Sequence, residues 1–265
     1  MTQDRVIDFE GIHNFRDYGG YAVAGGGRLK RGLLWRSGQH HGASDADLAR
    51  IGALGLAAVY DLRSHHERTT HPCRRPTGFA GRVVTTDADT RGVAHQLAAP
   101  HLQAGATARR RDAASARESM RRSYENIAFR PSLLAMMRTY IADHADLAGG
   151  SLVNCMAGKD RTGFAVAMLQ TALGVHADDV MADYLLTNTA GDIEARVAAG
   201  GEAIRSSIGD LEPDVLKALM GVEPEYLFTA FAAVTERFGS IETYLEQELG
   251  ASEDLRERLR VRLVE

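Results

Sequence analysis

Cysteine is scarce in this sequence. Its 265 residues include only two, Cys73 and Cys155, and this argues against a disulfide-framed scaffold and makes two free thiols the simpler expectation. Basic residues are not in excess: a formal net charge of −4 and a pI near 6.2 argue against a general nucleic-acid binder, so any anionic substrate must be captured locally. Long apolar runs are missing as well. No stretch approaches the ~18 residues of a membrane span, and Met1–Phe9, MTQDRVIDF, has neither the basic start nor the apolar run of a signal peptide. The expectation is a cytoplasmic protein without an integral membrane segment, with secretion by a non-signal route left open. No repeat or low-complexity linker divides the chain.

What is present is ordinary globular material, 45% hydrophobic and 25% charged, which suits a single domain over 1–265. Short apolar runs at Leu33–Arg36 and Ala57–Leu62 read as strands. A helix from Ser44 to Leu54 lies between them, with Ser44 as N-cap and Asp47 as its capping-box partner. Arg82–Thr86 reads as a further strand. Thr107–Arg122 is rich in Ala and Arg and poor in large apolar residues, so a helical insertion around 105–125 is expected, either a solvated helical face or a mobile basic flap over an anionic substrate. Pro131–Ala145 has apolar residues at helical spacing. Leu152–Asn154 reads as a buried strand ending at Cys155, and Gly163–Leu173 as an apolar helix. Helices are expected at Asp178–Thr187, Asp192–Ser207, Asp214–Met220, Pro224–Phe238, Ser240–Leu249 and Glu253–Val264, which makes the C-terminal half helical.

The chemistry concentrates between strand and helix, in Cys155-Met156-Ala157-Gly158-Lys159-Asp160-Arg161-Thr162-Gly163. Five residues between a cysteine and an arginine can curl so that successive N–H groups point inward, forming a nest for an anion above a helix N-terminus. Inorganic phosphate or sulfate fits such a cradle. Met156, Ala157, Gly158, Lys159 and Thr162 are therefore candidate phosphate-binding residues. Arg161 adds a planar fork of permanent charge able to hold two phosphate oxygens. Cys155, at the positive end of a helix and near Arg161, is placed to act as a thiolate nucleophile. The Thr162 hydroxyl can steady the sulfur as it departs. A catalytically silent phosphate-binding module or a sulfur transferase could share parts of this loop, but the first does not need Cys155 and the second has less need of Arg161.

This loop resembles the signature of the bacterial protein tyrosine/serine phosphatases, atypical dual-specificity enzymes similar to the secreted mycobacterial tyrosine phosphatase. Asn14–Gly20, Trp35–Gly38, Tyr60–Ser64 and Pro224–Leu227 resemble that family's other landmarks in the same order. The resemblance implies an α/β fold with a central, largely parallel sheet flanked by helices. It also implies catalysis without a metal or other cofactor, on phosphotyrosine, phosphoserine/threonine or phosphoinositides carried by a protein or a phospholipid head group.

Lys159 either meets a second anionic group, as on a lipid head group, or only raises the local potential. The family usually has histidine before the nucleophile, whereas this chain has Asn154, which can donate hydrogen bonds but cannot become cationic. The expectation is a working nucleophile with weaker help toward ionisation. For the general acid, the resemblance points to Asp160. Asp61 at a predicted strand end is the next candidate, followed by Asp87 and Asp89 on a predicted loop. Arg16, Asp17, Arg36 and Arg63 are read as fold-locking charges ahead of substrate ligands.

Overall fold

The computed structural model describes residues 3–91, 112–198 and 211–265. Two charged residues, β1 (Arg16–Asp17), form an edge strand that the sequence reading did not anticipate. β2 (Leu34–Ser37) follows, then α1 (Asp45–Gly52), β3 (Leu56–Asp61), α2 (His65–Thr70) and β4 (Arg82–Val84). The expected capping box at the start of α1 is present: Ser44 Oγ accepts from Asp47 N, and Asp47 accepts from Ser44 N.

Beyond β4 come α3 (Ala113–Glu125), a 3-10 turn at Ile127–Phe129, α4 (Pro131–Asp143), β5 (Gly150–Asn154) and α5 (Asp160–Ala172). The C-terminal half is helical: α6 (Ala177–Leu185), α7 (Thr187–Ala190), α8 (Ile193–Ala198), α9 (Pro213–Met220), α10 (Pro224–Phe238), α11 (Ile241–Gln247) and α12 (Glu253–Leu263).

The strands form one sheet in the order β1-β2-β5-β3-β4, antiparallel only at the β1–β2 edge. Alternation along each strand builds a core on both faces. Leu34, Ala58, Tyr60 and Val153 join a large cluster with α4, α5 and the C-terminal helices. Trp35, Val59 and Leu152 point the other way and pack with Ile51 of α1 and with Phe15. α5 is apolar all round because it is enclosed all round, with Phe164 through Leu169 essentially inaccessible.

Some boundaries differ from the sequence reading. α5 begins at Asp160, three residues before the expected Gly163, because a carboxylate in the first turn suits the positive end of a helix. β4 stops at Val84. The Ala- and Arg-rich stretch forms α3 from Ala113, capped by Asp112, whose Oδ1 accepts from Ser115 N at 2.8 Å. Its arginines are paired: Arg122 with Glu118 at 2.9 Å and Arg117 with Glu223 at 2.7 Å. These pairs are exposed, and 105–111 lies outside the described residues. The same holds for 199–207 of the expected helix Asp192–Ser207. No helix among the described residues is long and apolar enough to cross a membrane.

Because Phe164 is fully enclosed between sheet and helices, Phe164→Ala should cost about 3–5 kcal/mol, read as a lowered midpoint with little change in slope in urea unfolding.

Candidate active site

The carboxyl ends of β2, β5 and β3 lie side by side, with Asn154 in register between Ser37 and Asp61. This is where an open parallel sheet presents its ligand crevice. Residues 155–159 leave β5 there and pass directly into α5.

The carbonyls of this loop are pulled outward. Met156 O accepts from Gln39 N at 3.0 Å. Asn14 Nδ2 donates to Gly158 O at 2.8 Å and to Ala157 O at 3.3 Å, and Arg36 Nη2 donates to Gly158 O at 3.0 Å. The amides of residues 156–162 make no hydrogen bond among the described residues, and those of Asp160, Arg161 and Thr162 belong to the helix turn that has no internal acceptors. Gly158 sits at φ +67°, and a Cβ there would lie 2.4 Å from the Ser37 carbonyl group. Both the conformation and the space therefore require glycine.

The residues holding the loop are themselves buried and fixed. Arg36 is enclosed and donates through Nη1 to Asp183 Oδ2 at 2.6 Å. Arg16 reaches the same carboxylate through Nε at 3.3 Å, its backbone carbonyl at 2.8 Å, and Asn14 Oδ1. Burial and the neighbouring charge of Arg36 push Arg16 down to about 10, against the pull of Asp183. Burial alone would raise Asp183, but the two guanidiniums outweigh it and hold the carboxyl below its usual range. Arg36 thus acts on the loop through a backbone carbonyl.

Cys155 lies at the loop's start, 3% exposed, and is one of the groups whose charge favours the Arg161 guanidinium. Arg161 is clamped at both terminal nitrogens, Nη1 to Glu67 Oε2 at 2.6 Å and Nη2 to Glu67 Oε1 at 2.7 Å. Nη1 also reaches Leu62 O at 3.1 Å and Thr90 Oγ1 at 3.0 Å. Burial opposes its charge, but Glu67, Cys155 and Asp160 overcome this and keep it firmly protonated. Burial would likewise raise Glu67, yet the bonds from Arg161 and Ser64 hold it at about 2. The Arg161 Nε makes no hydrogen bond among the described residues.

The carboxylates differ in their surroundings. Asp160, in the first turn of α5, is 31% exposed at its side chain and accepts from the Tyr124 hydroxyl at 2.8 Å. Asp61 is enclosed, with its oxygens engaged by Arg63 Nε at 2.8 Å and Nη2 at 2.7 Å and by Asn154 Nδ2 at 3.3 Å. Asp87 is an exposed partner of Arg68 and His65, and Asp89 grips Arg91 through both oxygens. Asp17 accepts from Gly19 N and Gly32 N, a loop-organising role. Thr162 Oγ1 and Asn154 Oδ1 are buried without a hydrogen-bond partner among the described residues. Lys159 turns inward, with Nζ on Leu219 O at 2.5 Å and Gly221 O at 3.1 Å.

The sequence model of the tyrosine phosphatase family matches residues 7–265. The chain belongs to that family. A Cupriavidus necator protein named as a tyrosine-protein phosphatase is 35% identical over 247 residues, 92% of this chain and 84% of that protein. The triple specificity protein phosphatase PtpB of Mycobacterium tuberculosis is 30% identical over 278 residues, covering 96% of this chain and 98% of its own. The chain is accordingly a protein-tyrosine-phosphatase-like enzyme that binds phosphorylated substrates.

In this phosphatase, several residues that build the site escaped sequence reasoning. Glu67 does carry a signal, because Ser64-x-x-Glu67 is a capping box, and both of its bonds are formed at the start of α2. Nothing local announces that the same carboxylate clamps Arg161. Asn14 stands in one of the matched landmarks, and its positive φ of 62° reflects the turn that aims its amide at the loop.

Because Glu67 is held at about 2 against its ordinary 4.5, the clamp contributes stability that is complete above about pH 4.5 and lost as pH falls toward 2. Glu67→Gln should remove that part of the acid dependence in denaturant unfolding. At pH 7 it should also weaken competitive inhibition by phosphate about tenfold or more, as expected for losing a charged partner of a buried guanidinium.

Proposed function

We propose that this phosphatase hydrolyses phosphotyrosine monoesters, and phosphoserine/threonine where the side chain reaches, through a cysteinyl-phosphate intermediate. The observation that carries the reading is the outward pull on the carbonyls of Met156, Ala157 and Gly158, since a loop held this way offers its amides to an anion directly above Cys155.

The Cys155 thiolate attacks phosphorus while the bond from phosphorus to the substrate oxygen breaks. The loop amides and Arg161 hold the non-bridging oxygens as their charge redistributes. The departing phenoxide or alkoxide takes a proton from Asp160. Water then attacks the thiophosphate ester and gives its proton to the Asp160 carboxylate, and the phosphorus–sulfur bond breaks to release phosphate and restore the thiolate. Asp160 suits the acid role better than Asp61, because Asp61 is enclosed and engaged by Arg63 while Asp160 keeps an exposed edge. The Thr162 hydroxyl, buried without a partner among the described residues, is available to the sulfur when it leaves.

Phosphoinositide hydrolysis is the alternative. It needs a second cation in the loop, and Lys159 is the candidate. Its Nζ is spent on the carbonyls of Leu219 and Gly221, so the phosphotyrosine reading comes first.

Cys155→Ser should abolish metal-free turnover of para-nitrophenyl phosphate while phosphate binding persists. Asp160→Asn should lower kcat by about a hundredfold to ten-thousandfold on poor leaving groups and much less on activated ones. Turnover retained by Cys155→Ser would sink the reading, and leaving-group selectivity that follows Asp61→Asn would move the acid role there.

A further inference from the structure

Asp160 sits at the end of a chain of buried hydroxyls that the reaction as described does not use. Tyr184 of α6 donates its O–H to the Tyr124 hydroxyl at 2.8 Å, and Tyr124 of α3 donates to Asp160 Oδ1 at 2.8 Å. Both rings are enclosed, at 1% and 0% exposure. Burial first, then the charge of Asp160, raises both phenols well above their ordinary range, so they stay protonated and serve as donors. Other charges act on the same neighbourhood: Lys159 Nζ is 3.6 Å from Oδ1, and the charge of Asp160 is felt by Arg161, Arg130 and Tyr226.

We propose that Tyr124, backed by Tyr184, is the positioning residue of the general acid: its O–H occupies Asp160 Oδ1 and so confines the transferable proton to Oδ2. A carboxylic acid has one proton and two oxygens that can carry it, and a donor fixed on Oδ1 competes with a proton there while leaving Oδ2 free. The bond also fixes the carboxyl's rotation on a side chain that is otherwise partly exposed, and positioned geometry of this kind is what makes a proton donor effective.

The relay accounts for a motif residue that the phosphate cradle does not explain. Gly163 lies inside α5, where glycine costs helix stability. A Cβ there would sit 3.0 Å and 3.1 Å from Cδ2 and Cε2 of the Tyr184 ring. Glycine leaves room for Tyr184 to lie against the first turn of α5 and reach Tyr124. The neighbouring residue on α6 is Asp183, which holds Arg36 on the loop. One turn of α6 thus serves both the phosphate cradle and the acid.

The inference rests on the role proposed above for Asp160, and the test separates the two. Tyr124→Phe in the full chain should lower kcat about tenfold on a phosphotyrosyl peptide or phenyl phosphate, change it less than about twofold on an activated aryl phosphate, and leave KM and phosphate inhibition unchanged. These sizes are those of one lost hydrogen bond to a charged group. In an Asp160→Asn background the same change should have no further effect. Tyr184→Phe, which leaves the Tyr124–Asp160 bond in place, should show a smaller loss with the same selectivity and stands in if Tyr124→Phe folds poorly. A loss equal on all leaving groups, or one that persists beside Asp160→Asn, would overturn the inference and leave the acid role standing. Absence of leaving-group selectivity in Asp160→Asn itself would overturn both.

Discussion

The site depends on one constraint, that a five-residue loop must keep its carbonyls turned away from the space it encloses. A loop left to itself has no reason to do so, because its carbonyls and amides are equally available to water. Here the carbonyls find donors behind the loop in Gln39 N, the Asn14 amide and the Arg36 guanidinium. Those donors are firm because they are buried and braced: Asp183 lies between Arg16 and Arg36, and all three are almost wholly enclosed. Removing one member of such a buried ionic group costs about 3–5 kcal/mol because the remaining charges lose their partner. The cradle is therefore coupled to the integrity of the fold at β1, β2 and α6.

The same economy appears around Arg161. Its guanidinium must stay charged while buried, and Glu67 meets that requirement with both oxygens. Glu67 also closes the first turn of α2 by accepting from Ser64 N at 2.8 Å, so the clamp is fixed by a helix start. Thr90 fills the remaining side, donating to Leu62 O at 2.7 Å and accepting from Arg161. The Arg161 guanidinium is thus set by segments on both sides of β4. Asn154, just before Cys155, reaches Asp61, which Arg63 already grips. The base of the loop is tied down by neutral and paired groups.

The parts legible in the sequence were the local ones. Strand, loop and helix around Cys155 could be read because apolar runs and the motif lie within about twenty residues, and most helices declared themselves by apolar spacing. The partners of the loop could not be read, because they meet it only through the fold. Asp183 on α6 reads as an ordinary helix-surface acid until Arg16 and Arg36 arrive from the sheet. Tyr124 sits at the end of a helix whose sequence advertises arginine and alanine. Lys159 shows the limit of a motif. Read from the sequence, it either meets a second anionic group or only raises the local potential. In the fold it meets the carbonyls at the end of α9, Leu219 O and Gly221 O, and the last carbonyls of a helix are a natural seat for a cation.

The most direct test of the account is a rapid acid quench of the enzyme turning over a phosphotyrosyl substrate, followed by peptide mass spectrometry. The account predicts a phosphate adduct on the peptide carrying Cys155 and on no other. Turnover without that adduct, or phosphate carried by another side chain, would contradict it.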